Sequence, residues 1–160
     1  MQAIVNVTEN WAIGRGNRLL YPLKADLRRF KELTMGHAVV MGRRTLETLP
    51  GKKGLPGRRN LVLTANPNFT APDVEVVHTP LQAVFATGAE DFCIGGESVY
   101  RALLPVCDRV FVTKVLAPAE DADAFFPNLD EDPEWRIEHE SEVMEENGVR
   151  FRYVDYVRVE

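Results

Sequence analysis

Four groups of residues have the types and spacing to do chemistry. Asp26 sits in Lys-Ala-Asp-Leu-Arg-Arg-Phe-Lys-Glu-Leu-Thr (24–34). There Leu27, Phe30 and Leu33 recur at helical spacing, and the acid lies one turn before Phe30. A carboxylate so placed is either a helix-start charge complementing the backbone dipole or an acid with chemistry to do. Taken alone, the first use is the commoner. Ile94-Gly95-Gly96-Glu97-Ser98-Val99-Tyr100 runs from a strand pattern into a helical one. Paired glycines let backbone approach a ligand, and N–H groups opening a helix can receive a phosphate, although a tight structural turn would use the same residues. Met41-Gly42-Arg43-Arg44-Thr45 repeats the arrangement, with two arginines able to fork onto phosphate oxygens. Leu55-Pro56-Gly57-Arg58-Arg59-Asn60 is a turn whose arginines suit a carboxylate or, equally, a cationic surface.

The elements that must position these groups alternate between two periods. Strands are expected at 2–8, 38–41, 60–64, 74–78, 91–95, 108–115, 134–143 and 149–158, and helices at 24–35, 43–49, 80–87 and 97–104. Unbroken apolar runs such as Ala38-Val39-Val40-Met41 suit strands covered on both faces, as in parallel sheets. Glu145-Glu146-Asn147-Gly148 carries the Asn-Gly signal of a hairpin turn. The pattern predicts a single α/β domain over 1–160: an eight-stranded, mostly parallel sheet, an antiparallel C-terminal hairpin and four helices on its two faces. Two strand–Gly–helix junctions at the carboxyl ends of strands are the expected ligand position in such a sheet. Residues 9–23 are too apolar for a disordered linker, so they are expected to pack over a site.

Bulk properties narrow the class. The chain has 160 residues, 45% apolar and 27% charged, with a net charge of −5, which argues against general nucleic-acid binding. The charge is unevenly spread: residues 43–59 hold six cations against Glu47, and residues 119–147 hold twelve acids against Arg136. Cations gathered in an acidic chain suit a small anionic ligand or a solvated loop. Cys93 and Cys107 lack metal or redox spacing and suit buried thiols in a reduced, cytoplasmic setting. His37, His78 and His139 are scattered, so no metal site is expected. The opening Met-Gln-Ala-Ile-Val-Asn-Val carries no export signal and no apolar run could span a bilayer, so no membrane association is expected.

Together these residues match a family. Ala12-Ile13-Gly14 with Asn17, Asp26-Leu27 with Phe30 and Thr34, Val40-Met41-Gly42-Arg43 with Thr45, Leu55-Pro56-Gly57-Arg58 with Asn60, Ile94-Gly95-Gly96 with Tyr100, Thr113, and Phe126-Pro127 occur in one order. In this the chain closely resembles dihydrofolate reductase of the bacterial chromosomal type over essentially its whole length.

The resemblance implies reduction of 7,8-dihydrofolate to 5,6,7,8-tetrahydrofolate by hydride transfer from NADPH, in support of one-carbon metabolism. It makes Asp26 the active-site carboxylate, holding the pterin 2-amino group and N3 and promoting protonation at N5, with Thr113 bonded to it. Ile4, Val5 and Ile94 would line the pterin, Leu27, Phe30, Leu49 and Leu55 the aminobenzoyl group, and Arg58 would grip the α-carboxylate. Asn6, Ile13 and Tyr100 would surround the nicotinamide, beside Ile94. Gly95, Gly96, Glu97, Ser98 and Val99 would form the pyrophosphate turn. Gly42, Arg43, Arg44 and Thr45 would meet phosphate, and Leu63, Thr64 and Ala65 the adenine ribose. Residues 14–19, including Gly14, Asn17 and Leu19, match a loop closing over the cofactor. Antifolate inhibitors and a monomeric state are also implied.

The departures lie beside the chemistry. Leu20-Tyr21 replace a common Pro-Trp, leaving the Tyr21 hydroxyl to hold the water that the indole otherwise holds. Lys24 stands where proline is common, and Asn6 replaces a small apolar residue. A related pyrimidine or pterin reductase would share much of this pattern, but Arg58 occurring with Asp26 argues against it. A non-catalytic pterin- or nucleotide-binding homologue is the other alternative, motivated by Leu20, Tyr21 and Asn6.

Overall fold

Val39, Val40 and Met41 are wholly buried, because the strand they form carries apolar cover on both faces. Each such side chain contributes on the order of 1.5–3 kcal/mol, so this run anchors the centre of the sheet. The structure, a computed structural model, describes residues 1–15 and 20–160. Its first half contains β1 (Gln2–Val7), β2 (Ala12–Gly14), α1 (Lys24–Thr34), β3 (Ala38–Gly42), α2 (Arg43–Thr48), β4 (Arg59–Leu63), β5 (Glu75–Val77) and α3 (Pro80–Phe85). The second half adds β6 (Phe92–Gly95), α4 (Glu97–Leu103), β7 (Arg109–Val115), β8 (Ala124–Phe125), β9 (Trp135–Glu140), β10 (Met144–Glu146) and β11 (Val149–Arg158).

The main sheet runs β10-β11-β7-β1-β6-β3-β4-β5, and β9 also pairs with β11. Every pairing from β7 to β5 is parallel, while β11 runs antiparallel to β7, β9 and β10. Eight places across the sheet therefore stand as expected, with β10 and β9 sharing the outermost one. The sequence pattern had joined 134–143 into one strand. Ser141 breaks it: its hydroxyl accepts the Tyr153 N–H at 2.8 Å, a ladder position that a backbone carbonyl would otherwise fill. The hairpin tip is Asn147-Gly148, at φ 50° and 80°, the left-handed pair that a tight two-residue turn requires.

Alternation splits the core in two. Ala3, Val5 and Val7 of β1 pack with Val110 and Val112 of β7 and with Val99, Tyr100 and Leu103 of α4. Ile4 turns to the other face, where Val39, Met41, Leu46 and Phe92 meet Phe30 and Leu33 of α1. In the 9–23 stretch, expected to pack over a site, Trp11, Ala12 and Leu23 are buried; its residues 16–19 lie outside the described residues. A second small sheet was not legible in the sequence: β2 pairs with β8, joining that loop to the acidic one. No helix among the described residues is long and apolar enough to cross a membrane.

Helix α1 has no side-chain cap of its own, because its N-cap is Leu23. The Glu146 carboxylate on β10 takes that place, accepting the Lys24 N–H at 2.7 Å and the Ala25 N–H at 3.0 Å. A proline at 24 would have had no N–H to offer. The two backbone bonds hold the Glu146 carboxyl below its ordinary value of 4.5. A carboxyl lowered on folding adds stability that is fully present above its unfolded value and is lost as pH falls through the folded one. Glu146→Ala is therefore expected to lower the melting temperature at neutral pH, with the gap from the parent closing on acidification below about 4.5. Thermal melts across that range test this, and a gap independent of pH would dismiss the cap as its source.

Candidate active site

The register of the central strands assembles the acid's surroundings. Asn6 of β1 lies opposite Thr113 of β7, and Thr113 opposite Tyr153 of β11. Side chains at paired positions emerge on the same face of a sheet, so these three form a row beneath the first turn of α1. Asp26 closes over it. The Thr113 hydroxyl donates to Asp26 Oδ1 at 2.5 Å, and the Asn6 amide donates to Oδ2 at 3.0 Å. Thr113 is buried, whereas Asp26 and Asn6 remain half-buried at the cleft. Each carboxylate oxygen has taken one bond, which leaves acceptor capacity on both for two parallel N–H donors.

Tyr153 and Tyr100 mark the edges of this acid's field. Burial, and next the charge of Asp26, push the Tyr153 phenol up. Burial also pushes the Tyr100 phenol well up, with Cys93 and Asp26 adding to it, so it serves as a neutral donor. Its hydroxyl donates to the Ile4 carbonyl at 2.7 Å.

Apolar walls extend from the acid along α1. Leu27 is exposed to the cleft at 56%, and Phe30, Leu49, Leu55 and Ile94 sit partly buried on the core that contains Ile4. The Val5 side chain faces the opposite core, so only its backbone can serve this cleft. At the far end, Arg58 donates through Nη1 to Thr34 Oγ1 at 3.2 Å and through Nε to the Pro56 carbonyl at 3.0 Å. Partial burial lowers the guanidinium from its ordinary value, and most of its N–H donors are still available to a carboxylate. Arg59 is a different case. It forks onto Glu75 at 2.5 and 2.9 Å, so of the two arginines Arg58 is the one with donors left for a ligand carboxylate.

The strand–Gly–helix junctions lie against each other. A methyl added at Gly96 would sit 3.6 Å from Thr45 Oγ1, and one at Gly42 would sit 3.1 Å from Val99. Gly95 has φ 119°, and a Cβ there would press on the Tyr100 ring at 3.1 Å; only glycine allows the strand end to pass so close. The Gly95–Gly96 peptide is cis. Arg44 is exposed beside this cradle, while Arg43 pairs with Glu47 at 3.0 Å and lies over Phe69. The cradle fits a phosphate-bearing ligand: open backbone, a hydroxyl and a free-standing cation.

Other expected residues have firm placements. Ser98 is exposed, and Glu97 accepts the Phe125 N–H at 2.7 Å, latching β8. Ile13 packs partly buried against the α4-side core, as does Leu63. The Gly14 carbonyl accepts the Asp123 N–H. Thr64 Oγ1 accepts the Asn66 N–H, beside exposed Ala65. Asn17 and Leu19 lie outside the described residues. The Tyr21 hydroxyl donates to the Pro118 carbonyl at 3.1 Å, so the structure commits it to the 116–118 segment. Sequence reasoning missed one support. Glu146 gave only a charge signal, and His78, whose sequence position offered either a surface histidine or one near the adenine end, places its Nδ1 2.9 Å from the carbonyl of Thr64, a residue expected at the adenine ribose.

Comparison with known proteins converges on one family. A family model described as dihydrofolate reductase matches residues 1–158. A dihydrofolate reductase of Mycobacterium tuberculosis is 43% identical over 149 residues, covering 91% of this chain and 90% of that protein. One from Neisseria meningitidis serogroup B is 35% identical over 158 residues, covering 97% and 96%. Among solved structures, dihydrofolate reductase from Enterococcus faecalis complexed with NADP(H) and RAB-propyl superposes with a TM-score of 0.87 at 30% identity, covering 99% and 96%.

The turn that carries Arg58 depends on one buried amide. Asn60 accepts the Leu55 N–H at 2.8 Å and donates to the Leu55 and Arg58 carbonyls at 3.0 and 2.9 Å. Asn60→Ala strands those backbone groups and is expected to cost about 2–3 kcal/mol. A urea-denaturation midpoint indistinguishable from the parent's would refute this.

Proposed function

The chain belongs to the dihydrofolate reductase family and reduces 7,8-dihydrofolate to 5,6,7,8-tetrahydrofolate with NADPH; we propose that Asp26 is the one acid of this reaction. The observation that carries the proposal is its setting. The carboxylate is held from below by Thr113 and Asn6 at the closed end of an apolar cleft whose other end bears Arg58.

The reaction reduces the N5=C6 bond. NADPH supplies the hydride for C6, and a proton must reach N5. Asp26 accepts the pterin 2-amino and N3 hydrogens as two parallel bonds, which fixes the ring plane. Its negative charge favours protonation at N5. Thr113 holds the carboxylate in that plane. Ile4 and Ile94, with the Val5 backbone, line the ring. Leu27, Phe30, Leu49 and Leu55 exclude water along the aminobenzoyl group, and Arg58 forks onto the α-carboxylate. On the cofactor side, Gly42, Thr45, Gly95 and Gly96 give the pyrophosphate close backbone approach, and Arg44 meets phosphate charge. The chain works as a single domain and a monomer in the cytoplasm, with dihydrofolate, NADPH and antifolates as its small-molecule ligands and no nucleic-acid partner.

Two substitutions test the assignment. Asp26→Asn keeps the shape but removes the anion, so turnover at neutral pH should fall by at least ~100-fold with the melting temperature retained; full activity, followed by loss of NADPH absorbance, would refute it. Arg58→Leu should raise KM for dihydrofolate by roughly 10–100-fold while leaving a dihydropterin without the glutamate tail unaffected. Equal effects on both would remove Arg58 from the tail site.

A further inference from the structure

We propose that Asn6 is a positioning residue for the reduction, a second prong that together with Thr113 clamps the Asp26 carboxylate. This rests on the reading of Asp26 as the acid. The placement follows from β-sheet geometry. Asn6 and Thr113 are register partners on adjacent parallel strands, so their side chains leave the same face side by side. Each meets a different oxygen of one carboxylate, at 3.0 Å and 2.5 Å. One bond would leave the carboxylate free to swing about its Cβ–Cγ axis, whereas two bonds to separate oxygens fix that torsion. The outward lone pairs are thereby presented together to the paired donors of the substrate.

The second effect is on charge. An amide N–H stabilises a carboxylate and cannot accept the proton of a carboxylic acid, so the Asn6 donor opposes protonation of its partner. Other groups face Asp26 as well. Tyr153 on β11 and Tyr100 on α4 both feel its charge. Arg29, one turn along α1, is paired with Asp155 at 3.4 Å and stacks 3.9 Å from the Tyr153 ring. Glu146 on β10 caps the helix at positions 24 and 25, and Arg28 points outward from α1, exposed. None of these bonds to Asn6, so removing its amide leaves them in place.

The experiment is the pH profile of hydride transfer in single turnovers with dihydrofolate and NADPH, for the parent, Asn6→Ala and Asn6→Asp. In Asn6→Ala the loss of a charge-stabilising bond should move the break in the profile up by about 0.5–1 pH unit. It should also raise KM for dihydrofolate several-fold, with NADPH binding changed less than about two-fold. Asn6→Asp keeps the volume and sets two carboxylates within bonding distance, which should move the break up by more than about one unit. Unmoved breaks in both variants, or a loss confined to NADPH binding, would overturn the proposal. That failure is distinguishable from failure of the underlying reading, because Asp26→Asn would then remain inactive, whereas an active Asp26→Asn would sink both.

Discussion

The parallel pairing of β1 with β7 is the constraint on which the site depends. Its register sets Asn6 beside Thr113, and a slip of one residue between the two strands would put these side chains on opposite faces of the sheet. Val5, Val7, Val110 and Val112 hold that register by filling the core beneath α4, so a hydrophobic pattern on one face determines where two polar groups emerge on the other. The Asp26 carboxylate is then shared between helix and sheet. Helix α1 contributes the acid, the sheet contributes its donors, and neither element makes the site alone.

Much of this was legible because several motifs sit on continuous stretches. Asp26 with Phe30, the turn before Asn60 and the two strand–Gly–helix junctions each declare themselves within a few residues, and their order along the chain carries the family resemblance. The part that was hidden is the part set by pairing. The bond from Asn6 to Asp26 was hidden because nothing local shows which strand lies beside β1. The Glu146 carboxylate read as one acid in an acidic stretch, and only the folded hairpin brings it to Lys24 and Ala25. Pairing of β2 with β8 was hidden for the same reason. The broken strand at Ser141 reflects a different competition, between a hydroxyl and the backbone for one N–H.

Charge segregation along the chain also changes meaning once folded. Four of the twelve acids of 119–147 are paired with cations of β7 and β11. Asp130 meets Lys114, Glu134 meets Arg158, Glu138 meets Arg109 and Glu140 meets Arg152. Such partly exposed pairs contribute little each, and their chief effect is to let the acidic loop and β9 lie against the sheet. In the cationic stretch, Glu47 and Glu75 take Arg43 and Arg59. Among the described residues, Arg44, Lys52, Lys53 and Arg58 of that stretch have no ion-pair partner, and in the function proposed above Arg58 and Arg44 meet two different anions.

In the function proposed above, helix α1 acts as a ruler between Asp26 and Arg58. Asp26 is fixed to the sheet near its start, and Thr34, which holds Arg58, lies at its end. Eight residues at the rise of an α-helix separate them by about 12 Å, and Leu27 and Phe30 project from the same helix into the space between. Each end has its own anchor: Glu146 secures the first turn, and the Thr34 hydroxyl bonds back to the Phe30 carbonyl at 2.7 Å while accepting from Arg58. On that proposal, a substrate with a planar amidine edge at one end and a carboxylate at the other is measured by this spacing. Loss of either anchor displaces one end of the ruler relative to the other, so residues that never touch the substrate help to set its fit.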